Sequence, residues 1–114
     1  MEERRKLRRR HVIYYSRVYE RSTGELIGHV IDITPEGIKL ISEQPIPVET
    51  HFHFRIDLPE EIMGRGYMFF EADSIWCAAD ANPDFYNTGF RVNGMDEQDV
   101  IFLNRMIDET GLRD

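Results

Sequence analysis

The chain has 114 residues, 41% of them hydrophobic and 11% aromatic, a composition that excludes a disordered or fibrous protein and suits one domain with its own core. A single cysteine, Cys77, excludes an internal disulfide and points to a reducing cytoplasm, while no run nears the ~20 apolar residues of a membrane span and no apolar segment of a signal peptide follows the charged start. The net charge of −7 is unevenly placed: residues 1–11 hold six Lys or Arg against two Glu, a net of +4, so the remainder carries −11, and this acidic body excludes a general nucleic-acid binder that spreads basic surface over its fold.

In chain order, residues 1–10 are nearly all charged and offer only Leu7 for burial, so 1–11 is expected to be a flexible basic arm in the absence of a partner. A solubilising tail or a first helical turn is the alternative. Arg4, Arg5, Arg8, Arg9 and Arg10 supply guanidinium forks that can meet a phosphate, or the O6 and N7 edge of guanine, with paired hydrogen bonds. Val12 to Tyr19 is rich in β-formers, Ser22-Thr23-Gly24-Glu25 is a turn signal, and Leu26 to Ile31 resumes the strand pattern, which predicts a hairpin.

Asp32-Ile33-Thr34-Pro35-Glu36-Gly37 is predicted to join that strand to the next, Ile38 to Ser42. Pro35 fixes φ for the second position of a type I or II turn, and Gly37 either takes positive φ or admits a close approach. Asp32 and Thr34 stand two apart, so on extended backbone they share a face. A carboxylate beside a hydroxyl can accept from the N1 and N2 donors of a guanine edge.

Pro45 and Pro47 end the third strand. His51 to Leu58 alternates without a break, placing Phe52, Phe54, Ile56 and Leu58 in the core and His51 and His53 outside. Pro59 to Gly66 is expected to be a loop, Tyr67 to Cys77 one long strand or a strand pair, and Asp80 to Asn87 a polar turn around Pro83. Thr88 to Val92 closes the sheet. The period then changes: Asp96 is a candidate N-cap with Asp99 three residues on, Val100, Leu103 and Ile107 recur at helical spacing with Phe102 and Met106 beside them, and Gly111 fits the residue after a helix. The pattern predicts a mainly β protein, a barrel of about six strands over 12–94 capped by one helix over 95–111.

Other residues carry bland readings beside sharper ones. His51 and His53 share a strand face, but no third and fourth ligand stands at a recognisable spacing, so exposed strand histidines are the reading and no metal or cofactor is expected. His29 reads as a hydrogen-bonded barrel residue and Cys77 as a small buried thiol. Trp76 is either core or an aromatic at a ligand rim that stacks on a purine, because the parity of its strand is unclear. No nucleophile elbow, phosphate-cradling glycine loop or HExxH pair is present, and the chain reads as a binding protein, not an enzyme.

Two motifs taken together carry a resemblance. Arg5-Lys6-Leu7-Arg8-Arg9 fits RxxxR, with Arg4 to Arg8 as a second register, and Asp32-Ile33-Thr34-Pro35-Glu36-Gly37 fits [DN]xSxxG with threonine in place of serine. RxxxR alone arises by chance in roughly a quarter of chains this long and means little by itself. Both motifs in this order, flanked by strands, resemble the PilZ domain, the bacterial receptor module for cyclic di-GMP. The resemblance implies a six-stranded antiparallel β-barrel with a short C-terminal helix. It further implies a cyclic di-GMP site at Arg5, Arg9, Asp32, Thr34 and Gly37, with Arg4, Arg8, Arg10 and Trp76 as further candidates. On this reading the arm folds onto the barrel when the ligand binds and the altered surface signals to an effector protein, the chain being a monomer or a ligand-linked homodimer. The alternative is a PilZ-type interaction adaptor that binds no nucleotide.

Overall fold

Stretches of β-branched and aromatic residues form six antiparallel strands among the described residues, which are 16–62 and 65–110 of the computed structural model, with side chains described outside 58–62, 65 and 106–110. The strands are β1 (Arg17–Glu20), β2 (Leu26–Ile33), β3 (Gly37–Ser42), β4 (His51–Ile62), β5 (Arg65–Ala79) and β6 (Tyr86–Val92), followed by α1 (Glu97–Thr110). Their order, β1-β2-β3-β6-β5-β4, closes into a barrel through the pairing of β4 with β1. The six-stranded barrel with one C-terminal helix is the architecture expected from the sequence. The arginine arm, Val12 to Tyr15 of the first expected strand, Met63, Gly64 and Gly111 lie outside the described residues.

The barrel interior is built by alternation. Val18, Val30, Leu40, Phe54, Ile56, Met68, Phe70, Ala72 and Phe90 are buried, contributed by all six strands of the closed sheet. Phe54 sits at its centre, with ring centroids 5.0 Å from Phe90, 5.3 Å from Phe52 and 5.9 Å from Phe70, separations at which offset and edge contacts add to area burial. Ile46 of the β3–β4 connection and Phe102 and Leu103 of α1 join the same core. The helix starts as expected, with the Gln98 amide donating to Asp96 Oδ1 at 2.9 Å and Glu97 and Asp99 in its first turn. Of its apolar stripe, Met106 and Ile107 have side chains outside those described.

Several boundaries depart from the sequence reading. Asp32 and Ile33 belong to β2 and Gly37 opens β3, so the connection is only Thr34 to Glu36. Pro59 to Ile62 continue β4, and β5 begins at Arg65, so the expected Pro59–Gly66 loop is an extension of the β4–β5 hairpin, with a register shift between Asp57 and Ile62. The proline and glycines suggested a break, but the strand continues through Pro59 and its pairing with β5 resumes at Ile62 and Arg65. Tyr67 to Cys77 lies in one strand, and β6 starts at Tyr86. Cys77 is half-buried and not enclosed.

The β1–β2 hairpin closes through Gly24 N to Glu20 O at 2.8 Å. Glu20 is itself nearly buried, and its carboxylate accepts from Ser22 Oγ at 2.6 Å and from the His53 amide at 2.8 Å. Burial raises its pKa, but these hydrogen bonds outweigh that and hold the group below the ordinary carboxylate range.

Candidate functional site

Asp32 owes its position to an irregularity of β2. Pairing with β3 runs His29 to Ile41 and Val30 to Leu40, then jumps to Asp32 with Lys39 and Ile33 with Ile38. Ile31 is thus an extra residue, a bulge that flips the inside-outside alternation. Val30 and Ile33 both point inward, and Asp32 is exposed on the outer face. In an unbroken strand Asp32 would share the inward face of Val30.

The same device recurs in β5. Pairing with β6 runs Ser74 to Phe90 and then Trp76 to Gly89, leaving Ile75 extra. Ser74 is buried while Ile75 and Trp76 are both exposed, Trp76 at 43%. A core position for Trp76, one of its two sequence readings, is therefore corrected: the bulge turns the indole outward.

Lys39 is the cross-strand partner of both Asp32 and Gly89, and Gly89 is the partner of Trp76. Asp32, Lys39, Gly89 and Trp76 consequently form one transverse row over β2, β3, β6 and β5, spanning three strand spacings or ~14 Å. A Cβ on Gly89 would overlap the Trp76 indole nitrogen and lie 2.5 Å from Cε2, so the missing side chain is what lets the ring lie against the sheet. Lys39 Nζ stands 5.9 Å from the centroid of that ring, within cation–π range.

Thr34 and Gly37 border the row at its β2–β3 end. The two exchange backbone hydrogen bonds, Thr34 N to Gly37 O at 2.8 Å and the reverse at 3.3 Å. Thr34 Oγ1 accepts from the amides of Glu36 and Gly37, each at 3.2 Å, and its own proton reaches the Gly37 carbonyl only at 3.4 Å. Pro35 occupies the second turn position as expected, and Glu36 keeps negative φ, so the turn is not type II. Of the two roles open to Gly37, close approach is the one observed, since its φ is not positive and a Cβ would meet the Phe90 carbonyl at 3.1 Å.

Asp32, Thr34, Gly37, Lys39, Ile75, Trp76 and Gly89 line a single open depression of about 310 Å³ floored by Ile38 and Phe90. The structure therefore brings together Asp32, Thr34, Gly37 and Trp76 from the sequence candidates; Arg4, Arg5, Arg8, Arg9 and Arg10 lie outside the described residues. Lys39 and Gly89 were not singled out from sequence. The available signal for Lys39 was its place two residues after Gly37, which puts both on one face of β3.

Elsewhere, His29 is half-buried and lines a second, more apolar depression of about 500 Å³ between the β2–β3 strands and the Glu43–Pro47 segment. His51 and His53 face outward as expected, yet β5 sets Glu71 and Asp73 opposite them. The carboxylates of Asp73 and Glu71, hydrogen-bonded to the two ring nitrogens of His51, hold that imidazole above its usual pKa. Among the described residues no helix is long and apolar enough to cross a membrane.

Two solved structures share this barrel. The Bacillus subtilis inhibitor of motility, MotI/DgrA, superposes with a TM-score of 0.67 at 17% identity, over 86% of this chain and 46% of that one. The Borreliella burgdorferi PlzA protein in complex with c-di-GMP superposes with a TM-score of 0.56 at 11% identity, over 95% of this chain and 50% of that one. The chain thus spans about half the length of either protein, and at these identities the likeness is one of fold. Among curated proteins no sequence matches. The family description that does match, over residues 3–109, is that of the PilZ domain, and with the barrel and its outer row already in place the chain belongs to the PilZ domain family.

Proposed function

We propose that the chain is a receptor for cyclic di-GMP that binds the dinucleotide across the outer row of the barrel and signals by drawing its N-terminal arm onto that surface. The observation that carries this reading is the pair of bulges that turns Asp32 and Trp76 to the same outer depression as Thr34 and Gly37. Family membership and the c-di-GMP held by the PlzA neighbour support the choice of ligand.

In this scheme Arg5 and Arg9 grip phosphates and guanine Hoogsteen edges, with Arg4, Arg8 and Arg10 assisting or substituting. Asp32 accepts from the N1 and N2 donors of a guanine. Thr34 keeps a hydroxyl proton only weakly engaged with Gly37 O at 3.4 Å, so a phosphate or sugar oxygen can take it without unmaking the turn. Trp76 offers an aromatic face and Lys39 a positive charge beside it. The reading needs no catalytic group: a dianionic ligand and a basic arm neutralise each other over an acidic body, and the new surface is presented to an effector protein, from a monomer or from two chains linked by ligand.

Titration calorimetry with cyclic di-GMP tests it. Saturable binding is expected in the wild type, with Arg9→Ala or Asp32→Ala weakening it about tenfold or more, the loss that accompanies a bidentate contact worth ~1 to 3 kcal/mol. No heat at high ligand concentration would overturn the receptor reading and leave the adaptor that binds no nucleotide, for which Thr34 in place of the family serine is the motivating feature.

A further inference from the structure

The outward face of β4 carries His51 and His53 two residues apart, and antiparallel pairing sets Asp73 opposite His51 and Glu71 opposite His53. Sequence spacing hid this set because the partners come from another strand. One donor atom from each of His51, His53 and Glu71 lies within 4.8 Å of the others. The two imidazoles stand edge to face with centroids 5.0 Å apart.

We propose that His51, His53 and Glu71 form a surface site for a zinc-like transition-metal ion, with Asp73 as the outer carboxylate that orients His51. Two imidazole nitrogens and one carboxylate oxygen are the donor set such ions prefer, whereas calcium and magnesium take oxygen alone. Three protein donors leave a fourth position for water.

The supporting shell is already assembled. His51 Nδ1 is 2.7 Å from Asp73 Oδ1, and Asn93 hydrogen-bonds the other Asp73 oxygen. Metal-bound histidines ordinarily hold a carboxylate on the second ring nitrogen in this way, which fixes ring orientation. His51 Nε2 then faces Glu71 Oε1 at 2.8 Å, and an ion enters by replacing that hydrogen bond, its proton being released to solvent. His53 Nδ1 is 3.6 Å from Glu20, too far for a hydrogen bond, while Glu20 is engaged by Ser22 and the His53 amide. The imidazole of His53 is therefore able to turn toward Glu71. Closure to zinc distances of about 2.0 to 2.1 Å needs only side-chain rotation on neighbouring strands of a closed barrel. The site lies on β4 and β5, apart from the Asp32–Trp76 row, and does not depend on the nucleotide reading.

The test is titration of the full chain with zinc chloride in a non-chelating buffer, followed by calorimetry and by ¹⁵N spectra of the imidazoles. One ion per chain is expected, with ring signals of His51 and His53 shifting while those of His11 and His29 stay. His53→Ala should weaken binding tenfold or more, and Asp73→Asn by about 10- to 100-fold, the usual loss on removing such an outer partner. His29→Ala should bind as the wild type does, and magnesium chloride should not compete. Absence of saturable zinc binding by the wild type, unshifted rings of His51 and His53 at saturation, or equal competition by magnesium would each overturn the site. Because the ring spectra are read on unmodified protein, misfolding of a variant cannot obscure the answer.

Discussion

Trp76 is the one tryptophan of the chain, and it lies over a glycine on the next strand. That contact is a space relation as well as an aromatic one: any Cβ at position 89 occupies the volume of the five-membered ring. The indole is 43% exposed, so it can swing off the sheet without dragging backbone with it. Gly89→Ala is therefore expected to displace the ring more than it weakens the fold, with stability falling by about 1 kcal/mol, the centre of the range for point substitutions. Fluorescence reads the outcome directly, since emission of the displaced indole moves to longer wavelength in the variant. Unchanged emission beside an unchanged melting temperature would mean that Trp76 does not rest on Gly89. The sequence offered no parity for Trp76, and the structure supplies the reason: an inserted Ile75 lets Ser74 and Trp76 face opposite ways although they stand two apart.

At the scale of elements, the β2–β3 turn is held by one side chain. Thr34 Oγ1 accepts two backbone amides at 3.2 Å, and these hydrogen bonds fix the corner on which Gly37 meets the Phe90 carbonyl. Thr34→Ala should destabilise the protein by about 1 kcal/mol, the typical net worth of such hydrogen bonds, while Thr34→Ser, which keeps the oxygen, should remain close to wild type in thermal melts. Loss of stability in both variants alike would assign the effect to the methyl group instead. What could be read from residues alone follows from the same physics. Hairpins, the N-cap at Asp96 and the alternation of Phe52, Phe54 and Ile56 are local patterns with fixed periods, and they were legible. The outward aim of Asp32 was legible only as a spacing to Thr34, because the bulge at Ile31 that secures it arises from register with β3. The companions of His51 and His53 were invisible for the related reason that a cross-strand neighbour has no constant sequence distance. Pro59 misled in the other direction, since a proline signals a break but a hairpin can carry one along.

For the molecule as a whole, closure removes every free edge among the described strands, so strands cannot peel away singly and the barrel should unfold as a unit. Phe54 is the residue on which that unity is best tested. It is fully buried, lies in edge or stacked contact with Phe52, Phe70 and Phe90, and belongs to β4, the strand that joins β1 to β5 and closes the ring. Phe54→Ala removes most of a ring's buried surface and leaves a cavity that a closed sheet has little freedom to collapse. The expected loss is about 3 to 5 kcal/mol, a large share of the 5 to 15 kcal/mol or so that holds a typical domain. Phe90 also floors the outer depression, so the loosened core reaches the row of Asp32 and Trp76, and on the proposed receptor reading cyclic di-GMP affinity should fall in the same variant. Urea unfolding gives the measurement: a cooperative barrel shifts its midpoint at constant slope. A reduced slope, or a separate transition reported by Trp76 on β5, would show that β5 and β6 hold together after β4 has gone.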